Sequence, residues 1–317
     1  MSSPPPVVVI TAPTASGKSG LAAAVAARIG GTVINADSMQ VYRELPVLTA
    51  QPGAAARALA PHRLYGVRPA AEPCTMEAWR RLAVREIGVA RAHGRVPIVV
   101  GGTGLYLRAL VRGVAPIPDV PEAVRARARH EQRALSPDAL HARLALEDPE
   151  MAGRLNVRDT QRVTRALEVV RATGRSLAAY HAMPDQGAAR VRALAVAAIP
   201  EKADLDAAIA RRFDAMLADG ALDEVRALAA RGLDPQAPAM NALGVPPLLA
   251  HLRGEIDLET ARARAVRDTK RYAKRQRTWL RRQTPNDFVK MVALPERFGE
   301  DHTSFVSMQV ATFLHAG

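Results

Sequence analysis

Cysteine, aromatic residues and acidic residues are all scarce in this chain of 317 residues. The one cysteine, Cys74, excludes an intrachain disulfide and a zinc site built from cysteines. Aromatic residues make up only 4% of the chain, so aliphatic side chains must fill the core, and a hydrophobic content of 48% is enough for that. The apolar run at residues 7–10 has no basic residues before it and is too short for a signal peptide or a membrane span. We therefore expect a soluble, cytoplasmic protein with no membrane partner.

The shortage of acidic residues leaves the chain strongly basic. Lysine and arginine number 44 against 31 aspartate and glutamate residues, a formal net charge of +13. Such an excess favours nucleic acid, an anionic membrane or phosphorylated ligands as partners. The bulk charge is equally compatible with an arginine-rich composition that has no ligand, and only clustering of the charges distinguishes the two.

Alternating strand and helix patterns predict an α/β fold. Short apolar runs, many of them β-branched, predict buried parallel strands at residues 7–11, 32–36, 96–100 and 194–199. Helical periodicity follows the first and precedes the third of these, at residues 17–29 and 76–93. Long helices are expected later, at residues 203–219, 222–231 and 259–282. The tail after Thr284 carries no usable pattern.

Only helical patterns, charged and rich in arginine, run from about Glu122 to Tyr180. We interpret residues 115–188 as a mostly helical insertion in a core formed by residues 1–114 and 189–317. The predicted fold class is thus an α/β core with a parallel sheet, like that of the P-loop NTPases, and a helical insertion domain.

The first strand leads into a phosphate-binding loop. The segment Ala12-Pro13-Thr14-Ala15-Ser16-Gly17-Lys18-Ser19 fits the pattern G-x-x-x-x-G-K-[ST] except that Ala12 replaces the leading glycine. Backbone N–H groups of such a loop face an anion at the start of a helix, and the lysine binds phosphate oxygens. We expect Lys18 in that role and the Ser19 hydroxyl as a ligand to Mg²⁺. The pattern predicts a diphosphate group but not a particular nucleotide.

An acid and a threonine follow two other predicted strands. Asp37 comes after the second strand and Thr103 after the third. Because the carboxyl ends of parallel strands meet at one edge of a sheet, we expect both to face the phosphate-binding loop. Taken alone, Asp37 fits a general base and a helix N-cap about equally well.

The last long helix carries a concentration of positive charge. Residues 262–282 hold ten lysine or arginine residues, and Asp268 is the only acid among them. Helical spacing places Lys270, Lys274, Arg277 and Arg281 along one stripe. Because acidic residues that would balance this charge are scarce in the helix, we favour a face that contacts RNA phosphates over one that is only solvated.

Six segments, in order, resemble the bacterial tRNA dimethylallyltransferases, also called tRNA isopentenyltransferases. Besides the phosphate-binding loop, they are residues 35–43 (NADSMQVYR), 99–106 (VVGGTGLY), 159–169 (DTQRVTRALEV), 212–217 (RFDAML) and 272–279 (YAKRQRTW). The resemblance covers the chain from about Val8 to Arg282. The loop at residues 44–52 departs from the family pattern, and we assign it no function.

The resemblance implies a reaction. Dimethylallyl diphosphate donates its prenyl group to N6 of the adenine just 3′ of the anticodon, and diphosphate leaves with the help of Mg²⁺, without consumption of ATP. The roles implied are Asp37 as the base that contacts the amine, Arg212 as a cation on the diphosphate, and Thr103 as a hydrogen-bond donor to the bridging oxygen. It also implies tRNA contacts in the anticodon stem-loop for these residues: Asp37, Ser38, Met39, Gln40, Thr103, Arg125, Gln161, Arg162, Val163, Thr164 and Arg165. We expect Gln40 to read a base edge with its amide, and we expect a monomer.

Three other functions remain open at this point. A kinase for a small metabolite would share the loop, its lysine and magnesium, but would not need the basic helix. An enzyme that prenylates free adenylate would not need the arginine-rich insertion. The third possibility is an RNA-binding protein with a degenerate loop and no catalytic activity.

Overall fold

A computed structural model describes residues 4–283, 288, 290–299 and 301–316. The chain forms two compact units, one made of residues 1–111 with 189–317 and the other of residues 112–188. The insertion thus begins at Arg112, whereas the sequence pattern placed its start at residue 115. No helix of the described ranges is both long and apolar enough to cross a membrane.

The elements alternate as an α/β fold requires. The strands are β1 (Pro6–Thr11), β2 (Gly31–Asn35), β3 (His62–Arg63), β4 (Val96–Gly101), β5 (Gly113–Val114), β6 (Gln186–Gly187), β7 (Arg192–Ala198) and β8 (Lys290–Leu294). The helices are α1 (Lys18–Ile29), α2 (Ala54–Leu59), α3 (Met76–Ala92), α4 (Gly104–Val111), α5 (Glu122–Ala134), α6 (Pro137–Glu147), α7 (Pro149–Arg154), α8 (Thr160–Thr173), α9 (Leu177–His181), α10 (Lys202–Ala218), α11 (Ala221–Ala229), α12 (Val245–Leu252), α13 (Leu258–Gln283) and α14 (His302–His315).

The first unit contains a parallel sheet. Within the described residues its six strands lie in the order β3-β2-β4-β1-β7-β8. The predicted parallel strands are confirmed as β1, β2, β4 and β7. The edge strands β3 and β8 were not predicted, because β3 is two residues long and β8 lies in the tail that carried no recognisable pattern.

Helices cover both faces of this sheet. One face packs against α3, α4 and α10–α13 through residues such as Trp79, Leu107 and Phe213. The other packs against α1 and α14, where Leu21 and Val306 are buried. The central strand β1 is covered on both sides, which explains its continuous run of Val and Ile.

The second unit is a small helical domain with its own core. Leu140, Leu144, Val163 and Leu167 are buried among α5–α9. The helical prediction for residues 122–180 is confirmed, and α8 begins at an N-cap, since Asp159 accepts a hydrogen bond from the N–H of Arg162. The short antiparallel pair β5–β6, where the chain enters and leaves the unit, was not predicted.

Candidate active site

The phosphate-binding loop has the strained geometry that an anion cradle needs. It lies between β1 and α1, as predicted, and Ala15 and Gly17 adopt positive φ angles of 61° and 86°. Ala12 is buried and does not adopt a positive φ, so the loss of the usual glycine at this position is tolerated. The backbone N–H groups at the start of α1 remain available to a ligand.

Two cations lie at this loop without carboxylate salt bridges among the described residues. The Lys18 Nζ lies 3.4 Å from the carbonyl oxygen of Pro13, and Arg212 donates from Nη2 to Oγ1 of Thr14 at 2.5 Å. Burial lowers the pKa of Lys18 to about 8; the negative charge of Asp37 opposes this shift and the positive charge of Arg212 adds to it. Burial also lowers the pKa of Arg212, again opposed by Asp37. Partly desolvated cations of this kind are typical of a ligand site.

Asp37 is oriented by its neighbours in the loop after β2. Its N–H donates to Oδ1 of Asn35 at 2.8 Å, and its own Oδ1 accepts a hydrogen bond from the N–H of Met39 at 2.9 Å. The carboxylate therefore caps a turn rather than a helix. Ser38 donates its N–H to Oγ1 of Thr103 at 3.1 Å, which joins this loop to the one after β4. The structure thus brings Asp37 and Thr103 to the edge of the sheet that carries the phosphate-binding loop.

Gln276 is a site residue that the sequence pattern missed. This buried side chain of α13 accepts a hydrogen bond from the N–H of Thr14 at 2.8 Å and donates to the carbonyl of Gly102 at 2.9 Å. A Cβ on Gly102 would lie 2.2 Å from its Nε2, so a side chain at this position would displace the amide. One amide thereby locks the loops after β1 and β4 together. It lies in the most basic stretch of the chain, and only its spacing from the buried Ala273 and Leu280 could have revealed that it faces inward.

Tyr272 lies one turn earlier on the same helix. Burial and the charge of Asp37 together raise the pKa of its phenol to about 12, although hydrogen bonds with Thr103 and Gln276 oppose the shift. The phenol therefore stays protonated at neutral pH beside the carboxylate.

Two cavities adjoin at these residues. One, of about 520 Å³, is lined by the phosphate-binding loop and by basic side chains. The other, of about 240 Å³, is lined partly by the apolar side chains of Leu48, Ile209, Phe213 and Met216. Four residues line both cavities: Thr14, Asp37, Thr49 and Arg212. The acid therefore lies at the junction of a cationic cavity and one that is partly apolar.

The loop at residues 44–52 forms a wall of both cavities and is held from two sides. Glu224 accepts hydrogen bonds from the N–H groups of Val47 and Leu48 at 2.7 and 2.8 Å. Gln40 donates its side-chain amide to the carbonyls of Thr49 and Ala50, both at 2.9 Å. Both amide hydrogens of Gln40 are thus used in positioning the loop, and the contact of this side chain with a base edge stays a prediction that could involve only its amide oxygen.

The donor set at the loop suits a magnesium ion bound together with phosphate. The Ser19 hydroxyl is exposed in the first turn of α1 and makes no side-chain hydrogen bond with the described residues. Those residues contain no cluster of three His, Cys, Asp or Glu side chains that could hold a metal alone. Mg²⁺ commonly takes only one or two protein ligands and completes its shell with substrate phosphates and water.

Comparison with known proteins assigns the family. Residues 40–283 match the family model described as "IPP transferase". The chain belongs to the IPP transferase family. It is 57% identical over 282 residues to the tRNA dimethylallyltransferase of Rhodospirillum centenum, covering 88% of this chain and 89% of that protein. It is 47% identical over 307 residues to the tRNA dimethylallyltransferase of Parvibaculum lavamentivorans, covering 97% of this chain and 95% of that one.

Solved structures of related proteins share the fold. The tRNA isopentenylpyrophosphate transferase of Bacillus halodurans superposes with a TM-score of 0.69 at 29% identity, covering 98% of this chain and 97% of that chain. A eukaryotic dimethylallyltransferase described as acting on tRNA superposes with a TM-score of 0.78 at 25% identity, covering 98% of this chain and 80% of that chain.

In this IPP transferase the basic face of α13 is rotated from the predicted stripe. Lys274 and Arg281 are exposed as expected, but Lys270 lies 3.9 Å from Asp206 and Arg277 is partly buried. Their stripe is therefore only half exposed, because it curves toward the buried side of α13. The exposed basic residues are Arg264, Arg267, Arg271, Lys274, Arg275, Arg281 and Arg282.

The predicted RNA contacts in the helical unit divide by exposure. Gln161 and Arg162 are exposed in the first turn of α8, and Arg165 is partly exposed and pairs with Glu168 at 3.0 Å. Val163 is fully buried and Thr164 nearly so, because that side of α8 packs into the unit's core. The prediction of side-chain contact with RNA is therefore wrong for those two. Arg125 of α5 is partly buried, and its Nε has no hydrogen-bond partner among the described residues.

Proposed function

We propose that this protein transfers a dimethylallyl group from dimethylallyl diphosphate to N6 of the adenine immediately 3′ of the tRNA anticodon, releasing diphosphate. The observation that carries the proposal is the junction of the two cavities at Asp37. A cationic cavity beside an apolar one matches a donor with a charged diphosphate and a five-carbon hydrocarbon group. The names of the relatives support the same activity.

The diphosphate binds in the cavity lined by the phosphate-binding loop. Lys18, Arg212 and the N–H groups at the start of α1 neutralise the negative charge that grows on the leaving group as the C–O bond breaks. The prenyl group binds among Leu48, Phe213 and Met216, which form the apolar part of the adjoining cavity. Because Thr14 lines both cavities and holds Arg212, it fixes the cation at the boundary between the charged and apolar parts of the donor.

Asp37 acts as the general base. The adenine amine is a weak nucleophile because its lone pair is delocalised into the ring. As N6 bonds to the allylic carbon, the C–O electron pair leaves with the diphosphate and one N6 proton passes to the Asp37 carboxylate. The hydrogen bond from the N–H of Met39 holds the Asp37 carboxylate in one orientation before substrate binds, and the bond from the N–H of Asp37 to Asn35 holds the backbone of the same turn. Thr103 anchors the same turn through Ser38, which supports a positioning role for its hydroxyl.

Magnesium is the cofactor we propose, with Ser19 as its protein ligand. When bound, Mg²⁺ supplies positive charge that stabilises the leaving diphosphate. Ser19 would hold the ion beside the loop, while Lys18 and Arg212 neutralise charge on the diphosphate.

The tRNA binds through its anticodon stem-loop. The adenine must leave its stack before Asp37 can contact N6, at a cost of a few kcal/mol. The exposed basic face of α13, above all Arg271 and Lys274, contacts phosphates, and Gln161 and Arg162 of the helical unit make further contacts. We infer that the protein works as a monomer in the cytoplasm.

One assay tests this function against its alternatives. The protein is incubated with Mg²⁺, ATP, dimethylallyl diphosphate labelled in the prenyl group, and either an unmodified tRNA or AMP. We expect label on tRNA alone, at N6 of the adenine next to the anticodon. Label on AMP would identify an adenylate prenyltransferase. ATP hydrolysis or phosphate transfer without prenyl transfer would identify a kinase, and tRNA binding with neither activity would identify an RNA-binding protein.

A further inference from the structure

The segment that follows β8 forms a wall of the phosphate cavity. Phe298 donates its N–H to the carbonyl of Ser16 at 2.9 Å, and Arg297 donates from Nε to the carbonyl of Ala15 at 2.9 Å. A Cβ on Gly17 would lie 2.4 Å from the carbonyl oxygen of Phe298. The C-terminal segment and the phosphate-binding loop are therefore fitted to each other at three consecutive loop residues.

These contacts direct the Arg297 side chain into the cavity. Only Nε is used by the loop; the two terminal nitrogens of the guanidinium have no hydrogen-bond partner among the described residues. Arg297 lines the cavity together with Lys18, Arg211 and Arg212, and Asp37 is the one acidic residue on the lining. Because Nε is bonded to the loop and neither terminal nitrogen has a partner among the described residues, the Arg297 guanidinium is arranged to bind a phosphate through two parallel hydrogen bonds.

The family match does not account for this residue. The matched region ends at residue 283, whereas Arg297 lies beyond it, on a segment that carried no sequence pattern. Its position comes instead from the pairing of β8 with β7, which brings the following residues to the carboxyl edge of the sheet.

We propose that Arg297 is a further diphosphate-binding residue. It reaches the cavity from the segment after β8 and binds the phosphate oxygens together with Lys18 and Arg212. The proposal rests on the proposed function for the identity of the donor. It assigns the C-terminal segment to the active site and gives Arg297 a role in binding the donor and in retaining the leaving group. It predicts no role in binding tRNA.

The test is calorimetric titration of the full-length protein with inorganic diphosphate and Mg²⁺. Arg297→Gln keeps a donor for the Ala15 carbonyl but removes the charge, and we expect about tenfold weaker binding, which is a loss of about 1.4 kcal/mol. Arg297→Lys keeps the charge but not the planar guanidinium group, and we expect about threefold weaker diphosphate binding. The matched control is Arg28→Gln, which removes an exposed arginine that links α1 to Ser304 but does not line the cavity. We expect the control to bind as the wild type does.

Steady-state kinetics separates ligand binding from a structural role. Arg297→Gln should raise KM for the prenyl diphosphate about tenfold and leave KM for tRNA and the thermal unfolding midpoint unchanged. Diphosphate affinity within twofold of wild type, or an equal loss in both Arg297 variants together with a lower unfolding midpoint, would overturn the proposal.

The Lys18→Met variant distinguishes failure of this inference from failure of the proposed function. If it binds diphosphate as well as the wild type does, the loop is not the diphosphate site and both proposals are wrong. If it binds weakly while Arg297→Gln binds normally, only the inference about Arg297 is wrong.

Discussion

Positive charge is used in opposite ways in the phosphate cavity and in the helical unit. In the helical unit Arg171 contacts Glu131 and Glu147, each at 2.7 Å, and these hydrogen bonds raise its pKa above the ordinary value. In the cavity Lys18 and Arg212 have lowered pKa values, because burial outweighs the attraction of Asp37. Both regions are basic, but among the described residues Arg171 has two carboxylate partners, whereas Lys18 and Arg212 have none.

This difference indicates which cations stabilise the folded protein and which are stabilised only when an anion binds. A paired arginine in a helical unit holds elements together, here α8 with α5 and α6. An unpaired, partly buried cation destabilises the empty protein and is stabilised when an anion binds. Composition could not make this distinction, since the arginines of both regions look alike in the sequence. The following predictions test it, from the largest expected effect to the smallest.

Asp37→Asn should lower the rate of prenyl transfer by about 10²–10⁴-fold, because the amide cannot accept the proton from N6. The substitution keeps an oxygen that accepts from the N–H of Met39, so the turn should stay intact. Single-turnover transfer and tRNA binding are measured side by side. Asp219→Asn, at the exposed end of α10, is the control. An equal loss of transfer and tRNA binding would show that Asp37 is structural.

Lys18→Met should weaken diphosphate binding about 100-fold, since a charge-assisted contact in a partly buried site is lost. Without ligand, the variant should unfold at a higher temperature than the wild type, because a desolvated charge is removed. Calorimetry and thermal unfolding measure the two effects. A less stable variant would contradict the view that this cation is costly when the cavity is empty.

Diphosphate binding and stability of the wild type should both depend on pH through the titration of Lys18. The pKa of Lys18 is lowered from 10.5 to about 8, so above that pH Lys18 loses its charge in the empty site. Diphosphate binding should therefore weaken as pH rises past 8, by up to tenfold per unit, whereas Lys18→Met should lack this component. Between about pH 8 and 10.5 the unfolded state binds more protons, so the contribution of Lys18 to stability rises with pH. The stability advantage of Lys18→Met should thus be largest below pH 8 and should shrink above it.

Arg171→Met should destabilise the helical unit by about 2 kcal/mol, because two partly buried carboxylates lose their partner. Hydrogen exchange of the amides in α5, α6 and α8 measures the change. Arg154→Met, which breaks an exposed pair with Glu150, is the control and should cost at most about 0.5 kcal/mol. Diphosphate affinity should not change in either variant; a loss in Arg171→Met would mean that the two uses of charge are not separate.

The smallest effect is expected on the α13 face. Replacing Arg271 and Lys274 together by glutamine should lower the slope of log Kd against log salt concentration for tRNA by about 1.4, or about 0.7 for each phosphate contact. Replacing Arg28 of α1 and Arg253, which directly follows α12, should leave the slope unchanged. An unchanged slope in the α13 variant would mean that this face is only solvated.

Much of the site was predictable because many of its residues lie in short segments with recognisable local patterns. The phosphate-binding loop follows from eight consecutive residues, and the position of Asp37 follows from a recognisable buried strand before it. Gln276 and Arg297 were missed for a different reason. Each reaches the site through long-range packing, and neither belongs to a local pattern that sets it apart from neighbouring polar residues. Val163 and Thr164 were misplaced because a motif does not show which side of its helix faces a core.

The sequence by itself determined the α/β class, the phosphate-binding loop, the acid after β2 and the helical character of residues 122–180, because each depends on periodicity or spacing within one stretch of chain. Only the tertiary structure decided which charges are paired. It also decided which side of α13 faces solvent and that the C-terminal strand brings Arg297 to the loop. Burial and ion pairing depend on groups far apart in the chain, here as much as 282 residues between Ala15 and Arg297.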